Sequence, residues 1–454
     1  LAREATIHCG SLSAKWSALR TLDDVTGDPT WWQYPETHKT WITGLRKAVF
    51  RISQFFIGLP EANRTIVNVL YPTSTLLSTD PRDKLFALMG VSNMSSLLKA
   101  DYSKSTRDIY MDFTRRLIRR ERNLEVLLTA GPWNPYNGLD IGLPFWTPDY
   151  RGISCVDIRY LAASHLGHFH ASKDRKHSHI PSGSPSGEST LMVEGFIIDT
   201  VSETIFLGKG KSRRNTVMEN FDPLGRPARP RARPFFKAFF ETMILYNTTM
   251  YGESAGAITA IQKENKSRLE LGFIHDFDEF YRMKNSAKGT QMDTMSFKSI
   301  LETDTFEGAV REYRGLQKTE PDILHWRREE YTTRVEAATD GSLTNIFSTV
   351  DGYLGRGLSS VMEGDIVAVL FGSRLPFVLR KMEESPAYQL VSPCYVAGVM
   401  SGELMERVRR SGEESWNQAK IKRSSKSWSR MGSRGENSGK SKHGYLKAET
   451  LILV

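Results

Sequence analysis

The amino-acid sequence predicts an α+β fold: a helical N-terminal part, then mixed helices and short strands, with a small C-terminal β-sheet or half-barrel. Three observations support this class. Apolar residues recur at helical spacing through much of residues 1–130. Short apolar runs bounded by Gly or Pro occupy residues 343–400. After Glu403 the composition shifts to Ser, Gly, Lys and Arg, which predicts a disordered basic tail. The predicted segments are 1–142, 143–403 and 404–454.

Helical patterns dominate the N-terminal part. Residues 1–4 resemble the middle of a helix, which favours an N-terminal truncation, and 11–22 carry apolar residues near helical spacing. The clearest helix signature runs from Asp80 to Gly90, with Asp80 suited to the N-cap, Pro81 to the first turn and Gly90 to a left-handed stop. A second helix is predicted after Ser105, where Ser105 and Asp108 resemble a capping box.

From about residue 143 the texture of the sequence changes. Residues 143–150 form a Pro-flanked aromatic segment that is predicted to be extended. Loops are predicted at 171–189 and 208–234, around strands at 191–201 and 203–207. Helical patterns return at 235–250 and 268–340, and one last strand is predicted within 445–454.

The formal net charge of +9 belongs to one segment of the 454 residues. Residues 407–447 contain twelve Lys or Arg and three Glu, so the rest of the chain is neutral. The high isoelectric point therefore does not indicate a basic nucleic-acid-binding face across the fold. Trp416 and Trp428 lie among these cations and could stack on single-stranded bases, so nucleic-acid binding through 407–447 is an alternative hypothesis.

The cysteine count and the hydropathy favour an intracellular, cytoplasmic protein without a membrane span. Cys9, Cys155 and Cys394 are odd in number and far apart, which does not suit a disulfide framework. No apolar run approaches the roughly 18–20 residues that cross a bilayer.

Candidate chemical sites have simpler explanations. Five histidines at 165–179 lack a closing Cys pair, so a His-rich surface loop is favoured over a metal site. Gly208–Ser212 resembles a phosphate loop, but Ile205 stands where the first Gly is needed. Gly352, Gly355 and Gly357 are better explained by a β-turn than by a dinucleotide site. Cys394 lies in an apolar run without a nearby base. We therefore expect no catalytic, cofactor-binding or metal-binding residue in this chain.

Seven segments in consistent order resemble the fungal heterokaryon-incompatibility family. They are the segments 79–90, 100–110, 143–150, 191–201, 349–357, 363–380 and 394–403. The resemblance implies motif residues with structural roles: Asp80, Pro81, Arg82, Asp83, Gly90, Asp101, Tyr102, Trp146, Pro148, Asp149, Gly364, Asp365, Arg380, Tyr395, Gly398, Gly402 and Glu403. The pairing of Asp83 with Arg82 in a buried ion pair is left open.

The same resemblance carries an expectation about function. Residues 1–10 resemble the segment that follows the signalling domain of the family, so that domain is expected to be missing from this chain. The remainder would regulate or recognise protein partners in incompatibility signalling and programmed cell death. An NAD-cleaving activity, by analogy with the TIR-like character of the family's signalling domain, is the remaining hypothesis, and we expect no such turnover.

Overall fold

A computed structural model describes residues 6–9, 11–15, 78–89, 97–132, 139–152, 169–173, 175–177, 189–206, 235–245, 260–288, 306–339, 344–410 and 448–454. The chain divides into two compact units. Unit 1 comprises Leu1–Glu121 with Asn134–Cys155, and unit 2 comprises Arg122–Trp133 with Val156–Val454. The three segments proposed from the sequence stay a prediction.

Unit 1 begins with a β-hairpin where a helix was expected. Strands β1 (Thr6–Cys9) and β2 (Leu12–Lys15) pair antiparallel, with Cys9 opposite Leu12. The helical prediction for 11–22 is therefore wrong over residues 11–15. The physical reason is that β1 contains the β-branched Thr6 and Ile7, which favour a strand, and pairing with it satisfies the backbone groups of β2.

Two helices of unit 1 follow the predicted positions. Helix α1 spans Asp83–Met89 and α2 spans Thr106–Glu121. The predicted places of Asp80 at the N-cap and Pro81 in the first turn are wrong, because the Asp80 side chain accepts the Arg82 backbone N–H in a turn that precedes α1. The Asp108 backbone N–H donates to Ser105 Oγ at 3.1 Å, and Ser105 Oγ donates to Asp108 Oδ2 at 2.6 Å, so this helix starts with a capping-box-like exchange. Gly90, expected to end α1, lies outside the described residues. A short 3-10 turn, Leu139–Ile141, precedes the aromatic segment at 143–150.

Unit 2 contains a long strand that organises its sheet. Strand β3 (Leu191–Phe206) was expected as two strands, and its register shifts at Ile197/Asp199 and again at Val201/Glu203. Its first half pairs with β6 (Ile366–Leu370) and its second half with β4 (Thr344–Thr349). These bulges bend one strand so that it borders two parts of the sheet.

The sheet closes into a ring through that shared strand. From β4 the pairing continues through β5 (Leu354–Leu358), β8 (Tyr388–Val396) and β7 (Phe377–Lys381) to β6, and from there back to β3. All of these ring pairings are antiparallel. The half-barrel expected over 343–400 is thus completed by residues 191–206. The buried cluster of this unit consists mainly of Val and Phe side chains, as in small barrels whose interior is filled by side chains.

Both ends of the expected disordered tail are ordered. Helix α7 (Glu403–Arg410) buries Leu404 and Val408, and β9 (Glu449–Leu453) pairs antiparallel with the start of β3. The prediction of disorder is therefore wrong for 404–410, while the strand expected within 445–454 is present as Glu449–Leu453. A few apolar residues are enough to order these two segments, because they pack or pair against strands of the barrel. Residues 411–447 lie outside the described part of the chain.

Four helices of unit 2 share an aromatic core. They are α3 (Phe235–Ile244), α4 (Ala260–Lys288), α5 (Glu307–Thr319) and α6 (Pro321–Thr339). Phe273 of α4 lies 5.4 Å from Phe240 and 5.6 Å from Tyr331 between ring centroids. Edge-to-face and tilted contacts of this kind stabilise helix packing beyond the burial of area. In the described part of the chain, no helix has the length and apolar character needed to cross a membrane.

Candidate functional site

The motif residues Asp80 to Asp83, which lead into α1, form a charged corner around Arg82. The Arg82 guanidinium donates to Asp80, with Nη2 at 2.7 Å from Oδ2, and its Nη1 donates to the carbonyl oxygens of Tyr102 at 2.7 Å and Lys104 at 2.8 Å. Arg82 therefore ties the start of α1 to the turn before α2. The alternative left open from the sequence, an Asp83–Arg82 pair, gives way to Asp80–Arg82, and this pair is partly exposed.

Asp80 and Asp83 have separate partners at this corner. Asp80 Oδ1 accepts the Arg82 backbone N–H at 2.9 Å, and the hydrogen bonds from Arg82 lower the pKa of the Asp80 carboxyl. Asp83 Oδ1 accepts the Tyr102 hydroxyl at 2.6 Å, which raises the pKa of Tyr102. The Pro81 carbonyl accepts the hydroxyl of Tyr110 at 2.6 Å. Each polar group thus fastens local structure.

The following turn is capped in a similar way. Asp101 Oδ1 accepts from Ser103, from the backbone N–H at 3.0 Å and from Oγ at 2.6 Å. The Tyr102 ring packs edge-on against Phe86 with centroids 5.2 Å apart, although 55% of Tyr102 is exposed. This turn belongs to the same corner as Arg82.

The aromatic segment at 143–150 anchors the core of unit 1. Trp146 is fully buried, and the Arg115 guanidinium lies 5.1 Å from its ring centroid. Tyr150 contacts the rings of Tyr110 and Phe113 at 5.0 and 5.4 Å, and its hydroxyl lies 2.8 Å from Thr114 Oγ1. These contacts place the segment in the core of unit 1.

A second ion-pair cluster closes that segment. Pro148 and Asp149 are buried, and Asp149 Oδ2 accepts from Arg151 Nη2 at 2.6 Å. Arg151 also forms a forked pair with Asp140, at 2.5 and 2.6 Å. Hydrogen bonds to Asp140 and Asp149 raise the pKa of Arg151, so the guanidinium stays charged. The cluster joins the 3-10 turn at Leu139–Ile141 to the end of the aromatic segment.

The barrel has its own partly buried ion pair, formed by Asp365 directly before β6 and Arg380 of β7. Arg380 Nε donates to Asp365 Oδ1 at 2.8 Å and Nη2 donates to Oδ2 at 3.0 Å, while Nη2 also donates to the Ser360 carbonyl at 2.9 Å. Asp365 Oδ2 accepts the backbone N–H of Met362 at 2.8 Å. Gly364 adopts φ +86°, a left-handed conformation that L side chains rarely take. The pair therefore fixes the β5–β6 connection.

The last motif residues lie around the turn that leads into α7. Tyr395 is buried with its ring 6.0 Å from Phe169, and Gly398 and Gly402 both adopt φ +80°. A Cβ on Gly402 would collide with the Lys173 side chain, so only glycine fits there. Glu403 Oε2 accepts the Ser401 backbone N–H at 2.8 Å. These residues shape a tight turn against the segment at 169–173.

Two of the five clustered histidines lie in the described residues, and their segment differs from the expected surface loop. His170 is exposed, whereas Phe169, Ala171, Ser172 and His177 are buried. Backbone hydrogen bonds to Met400, Arg374 and Arg122 hold this segment against the barrel, which explains how an irregular stretch becomes buried. Within the described residues, no group of three or more His, Cys, Asp or Glu side chains could hold a metal ion.

The remaining candidates of the sequence have simple surroundings where they are described. Cys394 is fully buried in β8, and burial raises the pKa of its thiol, which is unfavourable for a nucleophile. Gly352 adopts φ +89° in the turn between β4 and β5, and Gly355 and Gly357 lie within β5. The phosphate-loop-like Gly208–Ser212 lies outside the described residues.

One polar network was not foreseen from the sequence. Asp276 is completely buried on α4 and accepts from Arg328 Nε of α6 at 2.9 Å. Tyr313 of α5 donates to Asp278 at 2.7 Å, and desolvation is the main reason that the pKa of His275 is lowered. No local pattern signals the network, because its partners are 35 to 52 residues apart in the sequence.

Comparison with known proteins adds the decisive observation. Residues 323–413 match the family described as Het-6 beta-barrel domain. A curated relative, heterokaryon incompatibility protein 6 (OR allele) of Neurospora crassa, is 22% identical over 376 residues, covering 73% of this chain. The chain is similar to fungal heterokaryon-incompatibility proteins.

The matched regions differ in extent. The family match begins in α6 and includes β4–β8 and α7, so it contains the Asp365–Arg380 pair but not the Arg82 corner. The chain spans about half the length of the curated relative, 50% of it. No solved structure matches the chain.

Proposed function

We propose that this chain acts in the cytoplasm as a regulatory or recognition scaffold in fungal heterokaryon incompatibility, with protein partners and without catalytic chemistry of its own. The observation that carries the proposal is the similarity of the chain to heterokaryon incompatibility protein 6. The contacts of its charged motif residues support the same proposal. Asp80, Arg82, Asp365 and Arg380 bind one another or backbone groups within their own unit.

The chemistry of these pairs supports a scaffold role. A catalytic carboxylate or cation must face a position that substrate can occupy. Arg380 instead uses its fork to bind Asp365 and the Ser360 carbonyl, and Asp365 takes a further backbone N–H. Arg82 is likewise committed to Asp80 and two carbonyl oxygens. Residues used in this way determine the shapes of turns, on which a recognition surface depends.

The test is a heterokaryon assay with matched variants. The wild-type sequence, Arg380→Met and the exposed neighbour variant Lys381→Met are each expressed within the full reading frame, including any coding sequence upstream of residue 1, in a fungal strain that is then paired with an incompatible tester. We expect wild type and Lys381→Met to suppress heterokaryon growth equally and Arg380→Met to lose the effect. Growth unaffected by wild type, at confirmed expression, would count against a role in incompatibility.

Catalysis is tested separately on the purified chain. We expect no NAD cleavage above a buffer control over hours at micromolar protein. Turnover that persists through size-exclusion chromatography would refute the non-catalytic part of the proposal while leaving the incompatibility role intact.

The basic segment supports a competing hypothesis, association with nucleic acid. Its twelve cations lie within residues 407–447, and one of them, Arg407, donates to the Tyr353 hydroxyl at 3.2 Å. Binding through this segment would weaken steeply with salt and disappear when 407–447 is deleted. Salt-independent or absent binding would leave the scaffold role as the better account.

A further inference from the structure

Helix α6 presents two faces of different character. Its inner face buries Leu324, Tyr331 and Val335, and Arg328 is paired with the buried Asp276 of α4. The helix is therefore held in place by apolar packing and by an ion pair. Because the inner face is packed, the side chains of the opposite face are held in one orientation relative to unit 2.

The outer face combines an exposed indole with carboxylates. Trp326 is 69% exposed, and Asp322, Glu329 and Glu330 are exposed at positions one helical turn before or after it. Residues three or four apart on a helix have Cβ atoms about 5–6 Å apart. These four residues, here called the Trp326 face, form one continuous stripe.

The stripe keeps its negative character after local pairing is considered. Glu330 accepts from Arg327 at the flank of the helix at 3.0 Å, and Glu329 lies 3.6 Å from His325. Asp322, Glu329 and Glu330 outnumber the one guanidinium that pairs with them, which leaves a net negative charge beside the indole. The face is complementary to a cationic group.

We propose that the Trp326 face is the docking surface for an arginine-rich segment of a partner protein. A guanidinium can lie over the indole while its N–H groups bind the neighbouring carboxylates, which combines a cation–π contact with charge-assisted hydrogen bonds. Trp is also the residue type most often responsible for binding energy in protein interfaces. A neutral apolar partner would leave three carboxylates desolvated and is disfavoured.

The test uses a fluorescently labelled twelve-residue peptide of alternating Arg and Ser, titrated into the full chain by anisotropy at low salt. We expect saturable binding that weakens about tenfold in Trp326→Ala. The Glu329→Gln/Glu330→Gln variant should weaken binding and reduce its salt dependence. A peptide of alternating Gln and Ser should not bind.

A matched control removes the same charge elsewhere on unit 2. Glu383 and Glu384 are exposed on the β7–β8 turn, so Glu383→Gln/Glu384→Gln should bind the peptide as wild type does. The proposal would be overturned if wild type and Trp326→Ala bound the peptide with equal affinity. It would also be overturned if Glu329→Gln/Glu330→Gln and Glu383→Gln/Glu384→Gln lost affinity equally. Binding that appears only after the Lys and Arg residues of 411–447 are replaced by Ser would also overturn it, since the chain's own cations would then be the competing occupant. Circular dichroism of every variant distinguishes lost binding from lost folding.

Discussion

Arg380→Met tests how much the partly buried Asp365–Arg380 pair contributes to the stability of the barrel. The substitution removes the partner of Asp365, which is buried with only 2% of its side chain exposed, and deletes three hydrogen bonds. Breaking a buried pair costs about 3–5 kcal/mol. Because 29% of the Arg380 side chain is exposed, water can partly solvate the remaining carboxylate and the lower end applies. We expect a loss of about 3 kcal/mol in the free energy of unfolding.

Differential scanning calorimetry of the full chain measures this loss as a shift in the transition that includes the barrel. One kcal/mol corresponds to about 2–4 °C for units of 150–250 residues, so Arg380→Met should lower that Tm by about 6–12 °C. Arg380→Lys keeps the positive charge but loses the two parallel hydrogen bonds of the guanidinium, so its Tm should lie between those of wild type and Arg380→Met. Lys381→Met changes the exposed neighbour and should stay within about 0.5 kcal/mol of wild type.

The reasoning is refuted if Arg380→Met and Lys381→Met have the same Tm. In that case the Asp365–Arg380 pair would contribute no net stability, and the loop from Ser360 to Gly364 would be held by other contacts. A second control, Asp365→Asn with Arg380→Met, should recover part of the loss because no charge is left buried without a partner.

Further predictions concern the helices and two titratable groups of unit 2. A Cβ on Gly272 would overlap the Arg327 carbonyl oxygen, so Gly272→Ala should destabilise the chain by about 1–3 kcal/mol in urea titrations. Gly315, also helical, has nothing within 4 Å of the position that a Cβ would occupy, and Gly315→Ala should stabilise by about 0.5–1 kcal/mol, the opposite sign. The Cys394 thiol should resist alkylation in the native chain and react after unfolding, as followed by peptide mass spectrometry. Because the pKa of His275 is lowered from 6.5 in the folded state, stability is retained above pH 6.5 and falls as the pH drops below it; His275→Gln should show a smaller loss of Tm between pH 7.5 and 5, and an unchanged profile would contradict this.

Local signals explain which parts of the fold were predictable. The cap of α2 depends on Ser105 and Asp108, which lie three positions apart, so its chemistry is visible in a short window of sequence. The strands of 343–400 are short apolar runs separated by Gly or Pro, which is also a local pattern. The hairpin strands within 6–15 were missed because a short apolar run fits a helix or a strand equally well.

The candidate site was predictable as a set of residues but not as a set of contacts. The family resemblance singled out Asp80, Arg82, Asp365 and Arg380. It did not indicate that Arg82 reaches the carbonyl of Tyr102, or that Arg380 closes on Asp365 across two strands. The exposure of Trp326 was equally inaccessible, since an isolated tryptophan in a helix is as consistent with a core position as with a surface one.

By itself the sequence determined the α+β class, the cap of α2, the concentration of charge in 407–447 and the resemblance to heterokaryon-incompatibility proteins. Each of these depends on composition or on residues close together in the chain. Only the tertiary structure decided that residues 191–206 complete the barrel, that 449–453 adds a strand to it, and which charged groups pair. The physical reason is that these outcomes depend on contacts between residues tens to hundreds of positions apart, whose partners no local pattern specifies.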